Sequence, residues 1–323
     1  MQRATRLDDE SAAPGGRRPL PRPPQIETGP VSSDWRSVLA ERLAGAANAA
    51  GAWGYAAVST GCAEPTALAA LALVAQHAAP LRVRCALDWL AQLQRRDGAV
   101  PVSAQVSSPC WPTALAALAW LRCGSAADGF GRRIAAAIDW LLETRGRAVP
   151  PDPAAHDHDT TLGGWPWVTG THSWVEPTAC AVLALRAAGH AAHPRTREGV
   201  TLLLDRALPD GGWNYGNRRV LEHVLRPFPA TTGLALAALA GEPRTAAVDA
   251  GLDYLARELP RIHAPLSLAW GLIGMRAWNA TPAQAEEWLA ACARRLLERP
   301  VIPHYEALLL LAGPEKCPLI VPG

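Results

Sequence analysis

Four stretches decide the fold. They are Glu64-Pro65-Thr66-Ala67 running into LAALAL (68–73), Trp111-Pro112-Thr113-Ala114 into LAALAW (115–120), Glu176-Pro177-Thr178-Ala179 into CAVLAL (180–185), and Ala230-Thr231-Thr232-Gly233 into LALAAL (234–239). Their starts are separated by 47, 65 and 54 residues, the spacing of a helical repeat. The pattern is a helix start. Proline suits the first helical position, where its missing N–H has no partner to lose. A preceding Glu caps or complements the positive helix end. The Ala/Leu runs that follow have strong helix propensity and no polar face, so these helices are buried on all sides.

Between them lie segments with apolar residues at helical spacing and arginines on the other face, such as VRCALDWLAQLQRR (83–96) and RRIAAAIDWLLETR (132–145). Inner and outer helices together number twelve, expected near 35–49, 65–78, 81–95, 112–123, 131–144, 177–188, 196–207, 230–240, 244–259, 265–278, 282–298 and 303–312. The expected fold is all-α, an (α/α)6 toroid of six outer–inner pairs. A closed ring is favoured over an open solenoid, which needs polar capping repeats, although the repeat does not prove closure. The domain is expected over 34–313, after a disordered Pro/Arg-rich leader (1–33) and before a tail (314–323).

Composition narrows the function classes. Of 323 residues 49% are hydrophobic and 19% charged, with net charge +2, which argues against nucleic acid or an anionic membrane surface as partner. No apolar run reaches the length of a membrane span. Lys316 is the only lysine, a skew that fits GC-rich bacterial coding. Seven cysteines at irregular spacing argue against a disulfide framework and for a reducing cytoplasm.

The connections into the first four inner helices are long: 50–64, 96–111, 145–176 and 208–229. Long structured loops in a compact domain are usually functional, and these four emerge on the rim that carries the positive helix ends. They hold Trp53-Gly54-Tyr55, Asp97-Gly98, Gly163-Gly164-Trp165-Pro166-Trp167 and Asp210-Gly211-Gly212-Trp213-Asn214-Tyr215.

An outer helix, then D-G-G-W-x-Y, then P-T-A-x-x-A-L at an inner helix resembles the repeat of the prenyltransferase and squalene–hopene cyclase superfamily over most of residues 50–312. That resemblance implies two kinds of chemistry on long apolar isoprenoids, needing either no cofactor or a zinc ion. Class II terpene cyclases protonate their substrate with the middle Asp of D-x-D-D and line the cavity with aromatics. Laid on this sequence, that Asp falls on Glu64 and Glu176, while its flanking carboxylates become Cys62 or Trp174 and Pro65 or Pro177. In protein prenyltransferases, Asp, Cys and His hold zinc. His304 resembles the His ligand, but no Asp-x-Cys precedes it and Cys292 sits in an outer helix, so no metal is expected there.

The acid candidates are Glu64 and Glu176, with helix capping as the alternative, and the run His156-Asp157-His158-Asp159. There Asp157-x-Asp159 resembles a truncated D-x-D-D, and His158 beside carboxylates suits a general acid or base. A metal on His156, His158 and Asp159 and a plain turn are the alternatives. Trp111, Trp174, Trp167, Trp53, Tyr55 and Tyr215 are candidates for a cavity wall whose π faces stabilise a cation. In the polar cluster Asn214, Asn217, Arg218 and the nearby Arg226, either arginine suits a diphosphate or carboxylate, or both are solvated.

Three readings follow: a cyclase or isomerase acting on a small apolar or isoprenoid substrate, a non-catalytic toroid binding an apolar ligand or a protein partner at its rim, and a prenyl or acyl transfer enzyme.

Overall fold

The computed structural model describes residues 34–57, 59–124, 129–152, 157–220, 223–313 and 317–320. Among them twelve α-helices form two layers. The outer layer is α1 (Trp35–Gly45), α3 (Pro80–Leu93), α5 (Gly131–Glu143), α7 (Pro194–Asp205), α9 (Ala246–Glu258) and α11 (Ala285–Leu297). The inner layer is α2 (Ala63–Ala75), α4 (Thr113–Cys123), α6 (Val175–Ala187), α8 (Pro229–Leu239), α10 (Pro265–Ala277) and α12 (Pro303–Ala312). Each inner helix packs on the next and α12 packs back on α2, so the all-α toroid is closed.

The inner helices are apolar all round because both of their sides are covered; Leu68 through Leu73 are all fully buried. Small residues bring α8 and α10 closest. A Cβ on Gly233 would collide with the Trp270 carbonyl, and one on Gly274 with the Gly233 backbone.

The ring is stitched where its ends meet. The Trp35 indole donates to Glu286 Oε1 (2.9 Å), and Arg36 pairs with the same carboxylate. Arg42 donates to the Leu297 and Arg299 carbonyls (2.9 and 2.6 Å) beyond α11, and its Nε lies 3.1 Å from Oε1 of the fully buried Glu306 on α12.

The Pro-Thr-Ala motif does more than start a helix. A threonine hydroxyl, buried at the heads of α2, α4, α6 and α8, accepts a backbone N–H from the incoming loop. Thr66 takes Trp53 (3.0 Å), Thr113 takes Val100 (2.8 Å), Thr178 takes Trp165 (3.0 Å) and Thr232 takes Trp213 (2.9 Å). Three of these loop residues are tryptophans whose indoles reach back to the preceding outer helix, at the carbonyls of Leu43 (2.7 Å), Leu141 (2.9 Å) and Leu203 (2.6 Å). Each clasp therefore binds outer helix, loop and inner helix together. Thr178→Val keeps the shape but strands the Trp165 N–H in an apolar interior, and is expected to cost about 1–3 kcal/mol, read as a lowered thermal midpoint.

Three local expectations are corrected. Helix α1 ends at Gly45, not near 49, because the Asn48 side chain accepts the N–H groups of Ala50 and Ala52 (3.0 Å each) and turns the chain. Helices α2 and α6 begin at Ala63 and Val175, so Pro65 and Pro177 are third in their helices and Glu64 and Glu176 second, none of them a cap. The first turn still tolerates proline because its N–H groups lack intrahelical partners. The chain also has a short antiparallel ribbon, β1 (Arg219–Val220) with β2 (His223–Val224), where no strand was expected.

Candidate active site

Every inner helix begins on one rim, and the four long loops gather there. Each loop leans over the start of the neighbouring inner helix. The second loop gives the Val102 carbonyl to Ala63 N–H (2.8 Å), and the fourth gives the Tyr215 carbonyl to Val175 N–H (3.0 Å). These are orphan donors at helix N-termini, so the contact both satisfies the helix and fixes the loop. The third loop sets Trp167 edge-on to Trp111 at the head of α4, with ring centroids 4.7 Å apart. The first carries Tyr55 to the heads of α2 and α12.

There the chemistry converges. Tyr55 donates a very short hydrogen bond to Glu64 Oε2. The His304 Nε2 atom, at the second position of α12, lies 3.3 Å from Glu64 Oε1, and the Tyr55 and His304 rings meet edge-to-face at 5.7 Å. Across the mouth, Glu176 on α6 is in electrostatic reach of Glu64. Burial first, and the Glu64 charge second, push the Glu176 carboxyl up to about 8. Burial and then Glu64 also raise the Tyr55 phenol, which stays a proton donor. Cys180, one turn into α6 and buried, is raised by burial and by both glutamates, so it stays a neutral thiol. Burial thus favours the protonated form of Glu176, while Glu64 accepts the Tyr55 hydrogen bond.

The other candidates lie elsewhere. Trp53 is fully buried in its clasp, its indole donating to the Leu43 carbonyl. Asn214 is buried and builds its own loop, accepting Gly216 N–H (2.8 Å) and donating to the Asn217 carbonyl (2.8 Å). Tyr215 is 52% exposed, tilted against Phe228 at 5.2 Å. Arg226 is exposed. Trp174 sits at the N-cap position of α6, its ring tilted against His172 with centroids 5.8 Å apart.

The contacts of the 157–159 segment run to Asp205, Arg206 and Arg218. His156 lies outside the described residues. Nδ1 of the buried His158 sits 3.6 Å from Asp157 Oδ1, and Arg218 Nε is 3.9 Å from the other Asp157 oxygen. Asp159 is exposed and accepts both the N–H (2.8 Å) and the hydroxyl (2.6 Å) of Thr161. Those bonds favour the charged form and lower its pKa. A carboxylate held charged in a turn is a poor proton donor, so these bonds favour the turn reading of Asp159 over the acid one. Asp159→Asn is expected to change the thermal midpoint by no more than about 2 °C and to leave any turnover intact. Among the described residues no group of three His, Cys, Asp or Glu is placed to hold a metal.

With the geometry in view, the likeness to solved structures can be stated. A protein from Actinoplanes matches with TM-score 0.54 at 20% identity, over 83% of this chain and 82% of that one. A variant of the type II terpene cyclase MstE from Scytonema, in complex with geranylgeranyl dihydroxybenzoate as substrate, matches with TM-score 0.55 at 16% identity, over 84% and 80%. An apo variant of the same enzyme gives 0.56 at 17%, over 84% and 79%. The likeness is one of fold. No family profile matches the chain, and no curated protein matches it in sequence. Among the described residues no helix is long and apolar enough to cross a membrane.

Sequence reading missed His304 as a partner of Glu64. The signal was there: His304 occupies in α12 the register that Glu64 and Glu176 occupy in α2 and α6. The motif alignment covered only the four repeats with a Thr.

Proposed function

We propose that the protein is a terpene cyclase-like enzyme that cyclises or isomerises an isoprenoid or related olefinic substrate by acid-initiated cation chemistry at the mouth of the ring. The observation that carries the reading is the buried carboxyl of Glu176 at the head of α6, within electrostatic reach of Glu64 at the head of α2. Glu176 gives its proton to the substrate. The resulting cation runs past the Trp111–Trp167 pair, whose ring faces stabilise positive charge. Loss of a proton toward the Glu64–His304 pair ends the reaction, so atoms balance and the product is an isomer of the substrate.

A donor with a pKa of about 8 is weak for an isolated alkene but well matched to an oxygen that can be protonated. The preferred substrate therefore carries an epoxide or carbonyl at the end that meets Glu176. MstE, of similar fold, binds a geranylgeranyl-bearing aromatic acid, which supports an isoprenoid tail here. The test is incubation of purified protein with squalene, geranylgeranyl diphosphate, farnesylated phenols and their terminal epoxides, followed by a search for products of unchanged mass and altered retention.

A second reading, a rim that binds an apolar partner surface, is favoured by the exposed Tyr215, Val220, Val224 and Phe228 around the β1–β2 ribbon. Wild-type protein inert toward every olefin and epoxide would favour it.

A further inference from the structure

A cavity of about 220 Å³ lies beside the head of α6, walled by the third and fourth loops and the end of α7. Its polar lining includes Arg147, Arg206, His158, His172, Ser173 and Asn217, and among the described residues no carboxylate lines it. Asp157 faces His158 and Arg218, and Asp205 Oδ2 lies 3.6 Å from Arg206 Nε.

Two groups are left for a ligand. The Ser173 hydroxyl is buried and has no hydrogen-bond partner among the described residues. Arg147 has no ion pair among the described residues, and only its backbone N–H is held, by the Thr171 carbonyl (2.8 Å). Arg206 is 5% exposed and donates to the Asp159 carbonyl (3.1 Å), and burial lowers its pKa to about 10 against the opposing pull of Asp157. Trp174, on the apolar side of the cavity, is two residues from Glu176.

We infer that this cavity binds a small oxyanion, a carboxylate or a phosphate ester, that forms the headgroup of the substrate whose tail enters the ring. The inference deepens the acid-catalysis reading and rests on it for the word substrate, but not for the site. Arg147 and Arg206 hold the oxygens with charge-assisted hydrogen bonds, Ser173 adds a neutral donor, and Trp174 and Leu162 cover the carbon framework.

The test is calorimetric titration of the full chain with 4-hydroxybenzoate and, separately, with inorganic diphosphate. Saturable binding of either probe that weakens with salt supports the site, and the probe that binds identifies the class. Arg147→Gln and Ser173→Ala should each weaken binding at least ~10-fold with thermal midpoints unchanged, since neither side chain holds the fold. Glu176→Gln should bind the probe like wild type. Absence of binding by both probes to wild type, or unchanged affinity in both variants, overturns the site. If Glu176→Gln instead keeps full turnover, the acid reading fails while the anion site stands.

Discussion

Glu176→Gln is expected to lower turnover by about 10²–10⁴-fold, the range for loss of a general acid, while leaving a protein that is more stable than wild type at alkaline pH. The substitution keeps shape and polarity and removes only the proton. The stability effect follows from linkage. Folding raises the Glu176 pKa from its ordinary value of 4.5 to about 8, so the folded state binds the proton more tightly than the unfolded chain. Its contribution is fully present below about pH 4.5 and is lost as pH rises through about 8. Glutamine carries no such penalty. At pH 9 the variant should gain on the order of 2–4 kcal/mol after discounting for partial exposure, seen as a higher thermal midpoint and a flatter pH–stability curve. Wild-type activity should decline above about pH 8 as Glu176 ionises. Full turnover in the variant, or an unchanged stability slope, would remove Glu176 from the mechanism.

Arg42→Met is expected to have the largest effect on stability, about 3–5 kcal/mol at pH 8, because it leaves a buried carboxylate uncompensated. Glu306 is fully buried, and burial already pushes its carboxyl up to about 7 against the opposing pull of Arg42. Without Arg42 the group can remain inside only as the neutral acid. The loss should therefore shrink on acidification to pH 5.5, where protonation of Glu306 is cheap. The double variant Arg42→Met, Glu306→Leu should recover most of the loss at both pH values, since an apolar pair of similar volume avoids the desolvation cost. Urea unfolding at the two pH values separates these cases. A single variant as stable as wild type at pH 8 would show that the pair does not hold the ring shut.

What could be read early and what could not divides along physical lines. Helices α2, α4, α6 and α8 were legible because a run such as 68–73, apolar in every direction, has no stable home except between two layers. The rim was legible because loops 145–176 and 208–229 are too long for simple connectors. The roles of the tryptophans were harder. Trp53 and Trp213 share a Gly-rich context with Trp167, yet they are fully buried with their indole N–H groups on outer-helix carbonyls, whereas Trp167 reaches the head of α4. Spacing along the loop does not say which way a side chain turns. Asp159 was left between two readings for a similar reason: its neighbours in sequence suggested an acid motif or a turn, and its bonds to Thr161 stabilise the charge an acid must lack.

The sequence by itself determined an all-α array of six outer–inner pairs and the rim where the long loops emerge, because helix propensity, proline placement and burial on all faces are local properties that recur with each repeat. Ring closure and the partnership of Glu64, Tyr55, His304 and Glu176 were decided only by tertiary structure. Closure depends on α1 and α12 finding each other from opposite ends of the domain. The acid depends on carboxyl groups far apart in the chain sharing one poorly solvated space, and a pKa is set by that space rather than by the residue type.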